Sequence, residues 1–176
     1  MEENVLNQKA LRDISYGLYI VSSFLDDKMN GQIANTVFQI SGEPCTIAIS
    51  INKSNLTHEY IEKSGFFSVS IVEEEADLKF IGLFGFRSGR DIDKFASVGF
   101  KKGFTNCPIV IDNTLSFMEA KVINSIDVVT HTVFIGEVIA ADILKQGTPL
   151  TYANYHLLKK GKSPKTAPTF KAFEGK

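Results

Sequence analysis

Apolar residues alternate with small or polar ones along much of the chain, and this period of two predicts strands. Residues 17–25 (GLYIVSSFL) are rich in β-branched and aromatic side chains and give way to Asp26-Asp27-Lys28 and then Asn30-Gly31, a turn or hairpin signal. Residues 45–51 (CTIAISI) set Cys45, Ile47, Ile49 and Ile51 on one face and Thr46, Ala48 and Ser50 on the other. A face made only of small side chains is either turned to solvent or open to close approach. Phe67, Val69 and Ile71 alternate with Ser68 and Ser70 in a third strand.

Helical spacing interrupts this pattern twice. Residues 54–63 (SNLTHEYIEK) gather Leu56, Tyr60 and Ile61 on one side, with Ser54 or Asn55 as N-cap and Ser64-Gly65 as the stop. Residues 75–84 carry Leu78, Ile81 and Phe84 as a stripe, with Glu73 to Glu75 suited to the positive end of the helix and Gly85 ending it. Two long strands follow, at about 115–126 and 130–144. In the first, the apolar face moves from Leu115 and Phe117 to Met118, Ala120 and Val122, which predicts a bulge. Many strands, two short helices and no βαβ rhythm predict a mainly β fold, an antiparallel barrel with helical insertions. Residues 161–169 (GKSPKTAPT) read as an extended tail, so the chain divides into a domain at 1–158 and a basic, Pro-containing tail at 159–176.

Composition sharpens this picture. The chain has 176 residues, 44% of them hydrophobic, enough for one sizeable core. A formal net charge of −1 argues against a general grip on nucleic acid. That total is uneven: residues 159–176 hold six Lys and one Glu, a charge of +5, and the remaining 13 basic and 19 acidic residues make the body −6. A basic tail on an acidic body is a solvated end, a contact to an acidic partner or part of an anionic-ligand site. The acidic start MEENVLN and the lack of any apolar run near about 18 residues predict no secretory signal and no membrane span, hence a cytoplasmic protein. Cys45 and Cys107 form no Cys-x-x-Cys pair, which disfavours a disulfide framework and a thiolate metal site.

No nucleophile elbow, GxGxxG or Walker loop occurs, and His58, His131 and His156 lack metal-ligand spacing. If the protein is an enzyme, a bound cofactor carries the reactivity. One segment suits an anion. Ile51-Asn52-Lys53-Ser54-Asn55-Leu56-Thr57 runs from a strand end into a helix start, where free amides meet Lys53 and the hydroxyls of Ser54 and Thr57, an arrangement that fits a phosphate monoester. A capped surface helix with one exposed Lys is the alternative.

Several segments in order resemble one family. NGQIANTVFQIS at 30–41, Glu43-Pro44-Cys45, the run through the 54–57 helix start, Phe84-Gly85-Phe86, Ser88-Gly89-Arg90-Asp91, Asp93-Lys94-Phe95, His131-Thr132, Gly136-Glu137-Val138, Tyr155-His156 and 164–169 (PKTAPT) are similar to flavin reductase-like proteins with an FMN-binding split barrel, the flavoredoxin subgroup above all. The resemblance covers about residues 10 to 170 and implies a Greek-key antiparallel barrel binding FMN. It implies that Lys53, Ser54 and Thr57 hold the phosphate and that Ala34, Asn35, Thr36 and Val37 line the ring and ribityl chain. It places Ser50, Ile51 and Asn52 beside the cofactor and Lys165 within reach of its phosphate. His131 either flanks the flavin or nicotinamide, as a possible catalytic group, or is a structural strand-end residue; Val129 stands where relatives carry Gly. The implied activity passes electrons from NAD(P)H through FMN to flavin, an iron protein or another acceptor, in a homodimer. An FMN electron carrier without a nicotinamide site, and a non-catalytic split-barrel protein for another ligand such as haem, are the alternatives. Two cysteines are too few for the four-Cys rubredoxin extension of some relatives.

Overall fold

The computed structural model describes residues 6–170. Nine strands, β1 (Tyr19–Leu25), β2 (Lys28–Ala34), β3 (Val37–Gly42), β4 (Cys45–Asn52), β5 (Phe66–Val72), β6 (Phe100–Lys102), β7 (Pro108–Val110), β8 (Thr114–Val128) and β9 (His131–Ile143), are joined by helices α1 (Leu56–Ser64), α2 (Leu78–Gly85) and α3 (Tyr152–Leu157). A short 3₁₀ helix at Gln8–Asp13 precedes them. Seven strands form one antiparallel sheet in the order β2-β1-β5-β8-β9-β4-β3, and β6 pairs with β7 separately. The sheet's two edge strands, β2 and β3, are separated in the chain by Asn35 and Thr36 alone, so the sheet curls until its edges meet at that link. This is the expected mainly β barrel.

The β1–β2 hairpin turns at Asp26-Asp27, with Asp26 at φ 52°, a conformation Asp tolerates better than most residues. Asn30-Gly31 lies within β2, four residues further on than a tight turn requires. The bulge predicted in β8 is present: the register with β9 shifts between Glu119 and Ala120 and again between Val122 and Asn124. A further register shift in β5 falls between Ser70 and Val72, and Val72, on the same face as Ser68 and Ser70, packs outside the barrel.

Two cores result. Inside the barrel, Ile47, Ile49 and Ile51 of β4 pack with Val21, Phe67, Val69, Ala120 and Phe134, and α1 adds Ile61. Outside it, Leu18, Ile20 and Val72 meet Phe80, Ile81 and Phe84 of α2, Phe95, and Tyr152 and Tyr155 of α3. This second layer explains why Ser22, Ser68 and Ser70 are buried although they alternate with apolar residues: both faces of β1 and β5 are covered. Ser68 Oγ donates to the Pro108 carbonyl at 2.7 Å. Helix α1 begins where the 54–63 pattern places it, at N-cap Asn55. Helix α2 starts three residues later than expected because Asp77, not a Glu, caps it, accepting from the Phe80 amide.

Candidate functional site

A cavity of about 540 Å³ opens between β2, the start of α1, the loop after α2 and the chain beyond α3. That is the volume of a site for a cofactor-sized molecule. Alternate β2 residues Asn30, Gln32 and Ala34 face it, and so does the start of α1 from Ser54 to Thr57. The N-cap residue Asn55 makes no side-chain cap. The amides of Leu56 and Thr57, which have no acceptor one turn earlier, are therefore left for a ligand. Thr57 is fully buried and its Oγ1 accepts from Asn30 Nδ2 at 2.8 Å, which leaves the hydroxyl proton to be donated elsewhere. Gly89 packs so closely on Asn30 that a Cβ there would collide with the Asn30 side-chain oxygen.

Lys94 also lines the cavity and brings a buried charge to it. It is 4% exposed, and its ammonium donates to the Gly31 carbonyl (2.8 Å) and the Phe84 carbonyl (3.3 Å). Among the described residues no carboxylate pairs with it. Burial pushes the amine down to about 8. A buried cation with only carbonyl partners is costly, and an anion entering the cavity offsets that cost.

The far wall is the segment after α3. The chain reverses at Lys160 (φ 53°) and Gly161, whose lack of a side chain makes room for the Tyr155 ring. It then returns across the cavity, where eight of the residues from 162 to 170 line the wall. Tyr155 Oη donates to the Lys162 carbonyl (2.8 Å), and Asn35 Nδ2 donates to Thr169 Oγ1 (2.9 Å). The Thr169 hydroxyl donates to Tyr152 Oη (3.0 Å), and Thr169 itself is 4% exposed. The segment read as an extended tail is thus part of the site up to Phe170; its last residues lie outside the described ones.

Of the residues singled out from sequence, Ala34, Asn35, Ser50, Asn52, Ser54, Thr57, His131 and Lys165 line the cavity. Four do not. Ile51 is fully buried in the barrel core, the inevitable fate of the apolar face of β4. Val37 packs against that core, and Thr36 donates to Asn35 Oδ1 (3.2 Å). Lys53 turns to Asp127, Nζ to Oδ2 at 3.0 Å, and Asp127 is held below its usual value by the Lys53 and Thr132 hydrogen bonds. Thr132 donates to Asp127 Oδ1 and therefore accepts from Nε2 of His58, a neutral, buried imidazole whose protonation burial opposes. Ser54 spends its hydroxyl on Asn52 Oδ1 (2.7 Å), which also takes its amide (3.0 Å). Only Ser50 of the small β4 face reaches the cavity; Thr46 and Ala48 are buried elsewhere.

His131 bonds the far wall to the start of β9. Its Nε2 faces the Thr166 carbonyl at 3.2 Å, so that nitrogen carries the proton and Nδ1 accepts from the Thr130 hydroxyl at 2.9 Å. Burial lowers its basicity, so the ring is neutral near pH 7 and ties β9 to the far wall. Val129 takes the left-handed conformation that Gly favours, φ 49°.

Sequence reading missed Asn30, taken as a turn residue, and Lys94, Arg87, Arg90 and Lys162. The Asp93-Lys94-Phe95 block carried a signal for Lys94. Together the described lining holds five Lys or Arg side chains and no Asp or Glu. No group of three or more His, Cys, Asp or Glu among the described residues is placed to hold a metal, and no helix among them is long and apolar enough to cross a membrane.

The barrel thus carries a cation-lined cavity beside an uncapped helix start, an arrangement whose charge and free amides suit an anionic group. Residues 11–160 match the family model of the flavin reductase-like domain, and the chain belongs to that family of oxidoreductases, as the sequence resemblance implied. It is 50% identical over 165 residues to the high molecular weight rubredoxin of Moorella thermoacetica, covering 94% of this chain and 72% of that one. It is 47% identical over 171 residues to the ferric-chelate reductase (NAD(P)H) of Archaeoglobus fulgidus, covering 97% and 100%. Among solved structures, flavin reductase HpaC complexed with NADP+ shares the fold at a TM-score of 0.71 and 23% identity, over 82% of this chain and 90% of that one.

Proposed function

We propose that the protein binds FMN in this cavity and passes electrons from NAD(P)H to free flavin, an iron protein or another acceptor. The observation that carries the reading is that Lys94, Thr57 and the uncapped first turn of α1 line one cavity whose described lining holds no acidic side chain. A phosphate monoester satisfies all three, with Lys165 approaching from the far wall. Ser54 joins them only by giving up Asn52, and Lys53 only by leaving Asp127. Asn35 and Ala34 stand beside the space for the ring. When bound, FMN supplies the hydride-accepting and electron-relaying chemistry. The chain's own residues bind it, orient it and exclude water; His131, its Nε2 proton committed to Thr166, holds the wall and exchanges no proton.

The names of the relatives support the two ends of the path: one is an NAD(P)H reductase, the other a rubredoxin. We also infer a homodimer in the cytoplasm. Edge strand β3 exposes Phe38 and Ile40, and the far half of the β8–β9 hairpin exposes Ile123, Ile126, Val128 and Val129, an apolar face suited to a second copy. The deciding experiment is anaerobic mixing of the purified, FMN-loaded protein with NADH or NADPH. Loss of the flavin absorbance at a useful rate is the expected result. A protein that takes up no FMN defeats the reading; one that takes it up without bleaching is a carrier instead. Ile126→Glu is expected to shift a dimer to monomer by light scattering, and an unchanged mass removes that face as the interface.

A further inference from the structure

The cavity carries more positive charge than one phosphate monoester uses. On the reading above, Lys94 and Lys165 serve the FMN phosphate, and Arg90 is already paired with Glu59 at 3.2 Å. Arg87 and Lys162 remain. Both line the cavity, both are exposed, and neither makes an ion pair among the described residues. They approach from two walls: Arg87 follows α2, and Lys162 lies on the returning segment.

Lys162 is not a loose surface residue. Its carbonyl is fixed by Tyr155 Oη at 2.8 Å, and the segment is anchored downstream by His131 at Thr166 and by Asn35 and Tyr152 at Thr169. The backbone is pinned while the ammonium group is left free. The segment also lies beyond residue 160, where the match to the family model ends. On a chain whose body is acidic, a concave site with one sign of charge focuses the local field and attracts an anion that the rest of the surface repels.

We propose that Arg87 and Lys162 form an outer anion subsite that binds the phosphate groups of the nicotinamide dinucleotide donor, and that the subsite favours the phosphorylated dinucleotide. The proposal rests on the FMN reading of the inner cavity. A dinucleotide offers two bridging phosphates, and its phosphorylated form adds a third carrying greater charge, so two unpaired cations discriminate between the forms. The contacts are exposed and therefore sensitive to salt.

The test is calorimetric titration of wild type and of the Arg87→Gln/Lys162→Gln double variant. FMN is titrated into the apoprotein, and NADP+ and NAD+ are titrated separately into the FMN-loaded protein. The expected result is NADP+ binding weakened about tenfold or more in the variant, NAD+ weakened by a smaller factor, and FMN affinity within about twofold of wild type. Added salt is expected to weaken NADP+ binding more in wild type than in the variant. Unchanged NADP+ affinity overturns the proposal, as does a loss of FMN affinity as large as the loss for NADP+, since that places both cations around the FMN phosphate. Equal weakening for NADP+ and NAD+ overturns the preference for the phosphorylated form. Failure of the wild-type apoprotein to bind FMN is a separate outcome that removes the underlying reading of the cavity.

Discussion

At the inner end of the cavity a single ammonium, that of Lys94, is buried and held by two backbone carbonyls, whereas at the outer wall Arg87 and Lys162 keep their charges in water. The inner charge is preorganised and costs desolvation whenever it has no anion beside it; the outer charges cost little and adapt. On the proposed reading, a site built this way would grip one ligand tightly and exchange another quickly.

The largest effect is expected from Lys94→Met. FMN affinity falls by a hundredfold or more, on the order of 3 kcal/mol, while the apoprotein is as stable as wild type or more so, because a buried cation has been replaced by an apolar side chain. Titration with FMN and urea unfolding check the two halves. The pH dependence follows from the lowered Lys94 value. Between about 8 and the ordinary 10.5 the unfolded chain holds the proton that the folded one has lost, so apoprotein stability rises with pH across that window, by about 3 kcal/mol in all. Below pH 8 both states are protonated and this group contributes no slope. FMN binding, which needs the ammonium, runs the other way and weakens as pH climbs past about 8. A flat FMN affinity from pH 7 to 10 would break the comparison between the two ends.

Next in size is Gly89→Ala. The added Cβ pushes Asn30 off Thr57, and overpacking of this kind costs about 1–3 kcal/mol, with FMN affinity falling in parallel. Thr169→Val removes the hydroxyl that joins Asn35 to Tyr152, leaving the buried Asn35 amide without its acceptor, for about 1–2 kcal/mol. Limited proteolysis within 161–170 is expected to speed up before the melting temperature moves much. The smallest effect is that of Lys53→Ala, an exposed pair to Asp127, for which FMN affinity changes less than about twofold. A large loss there would return Lys53 to the phosphate.

The barrel was legible because its signals are local. Alternation in 45–51 and the change of face between Phe117 and Met118 each specify a strand or a bulge within a few residues. The cavity was half legible. Ser54 to Thr57 sit at a helix start that any reading of caps finds, but the partner that takes Lys53 is 74 residues away in Asp127, and Thr57 is held by Asn30, 27 residues earlier on β2. Lys94 looks like a surface lysine until α2 and β2 close over it. The returning segment was legible only in part: the resemblance put Lys165 near the cofactor, but two Pro and no apolar period describe a chain without its own secondary structure, and nothing local shows that Thr169 has a buried partner in Asn35.

Leu18, Ile81, Phe84, Tyr152 and Tyr155 are counted twice in this molecule, once as the outer core and once as the cavity wall. A ligand bound there would complete the layer formed by α2 and α3, whereas of the buried barrel core only Ala34 among the described residues reaches the cavity. Amide hydrogen exchange should record the division: without ligand, α2 and α3 open by local unfolding and exchange quickly, and with ligand they gain protection that β4, β5 and β8 already possess.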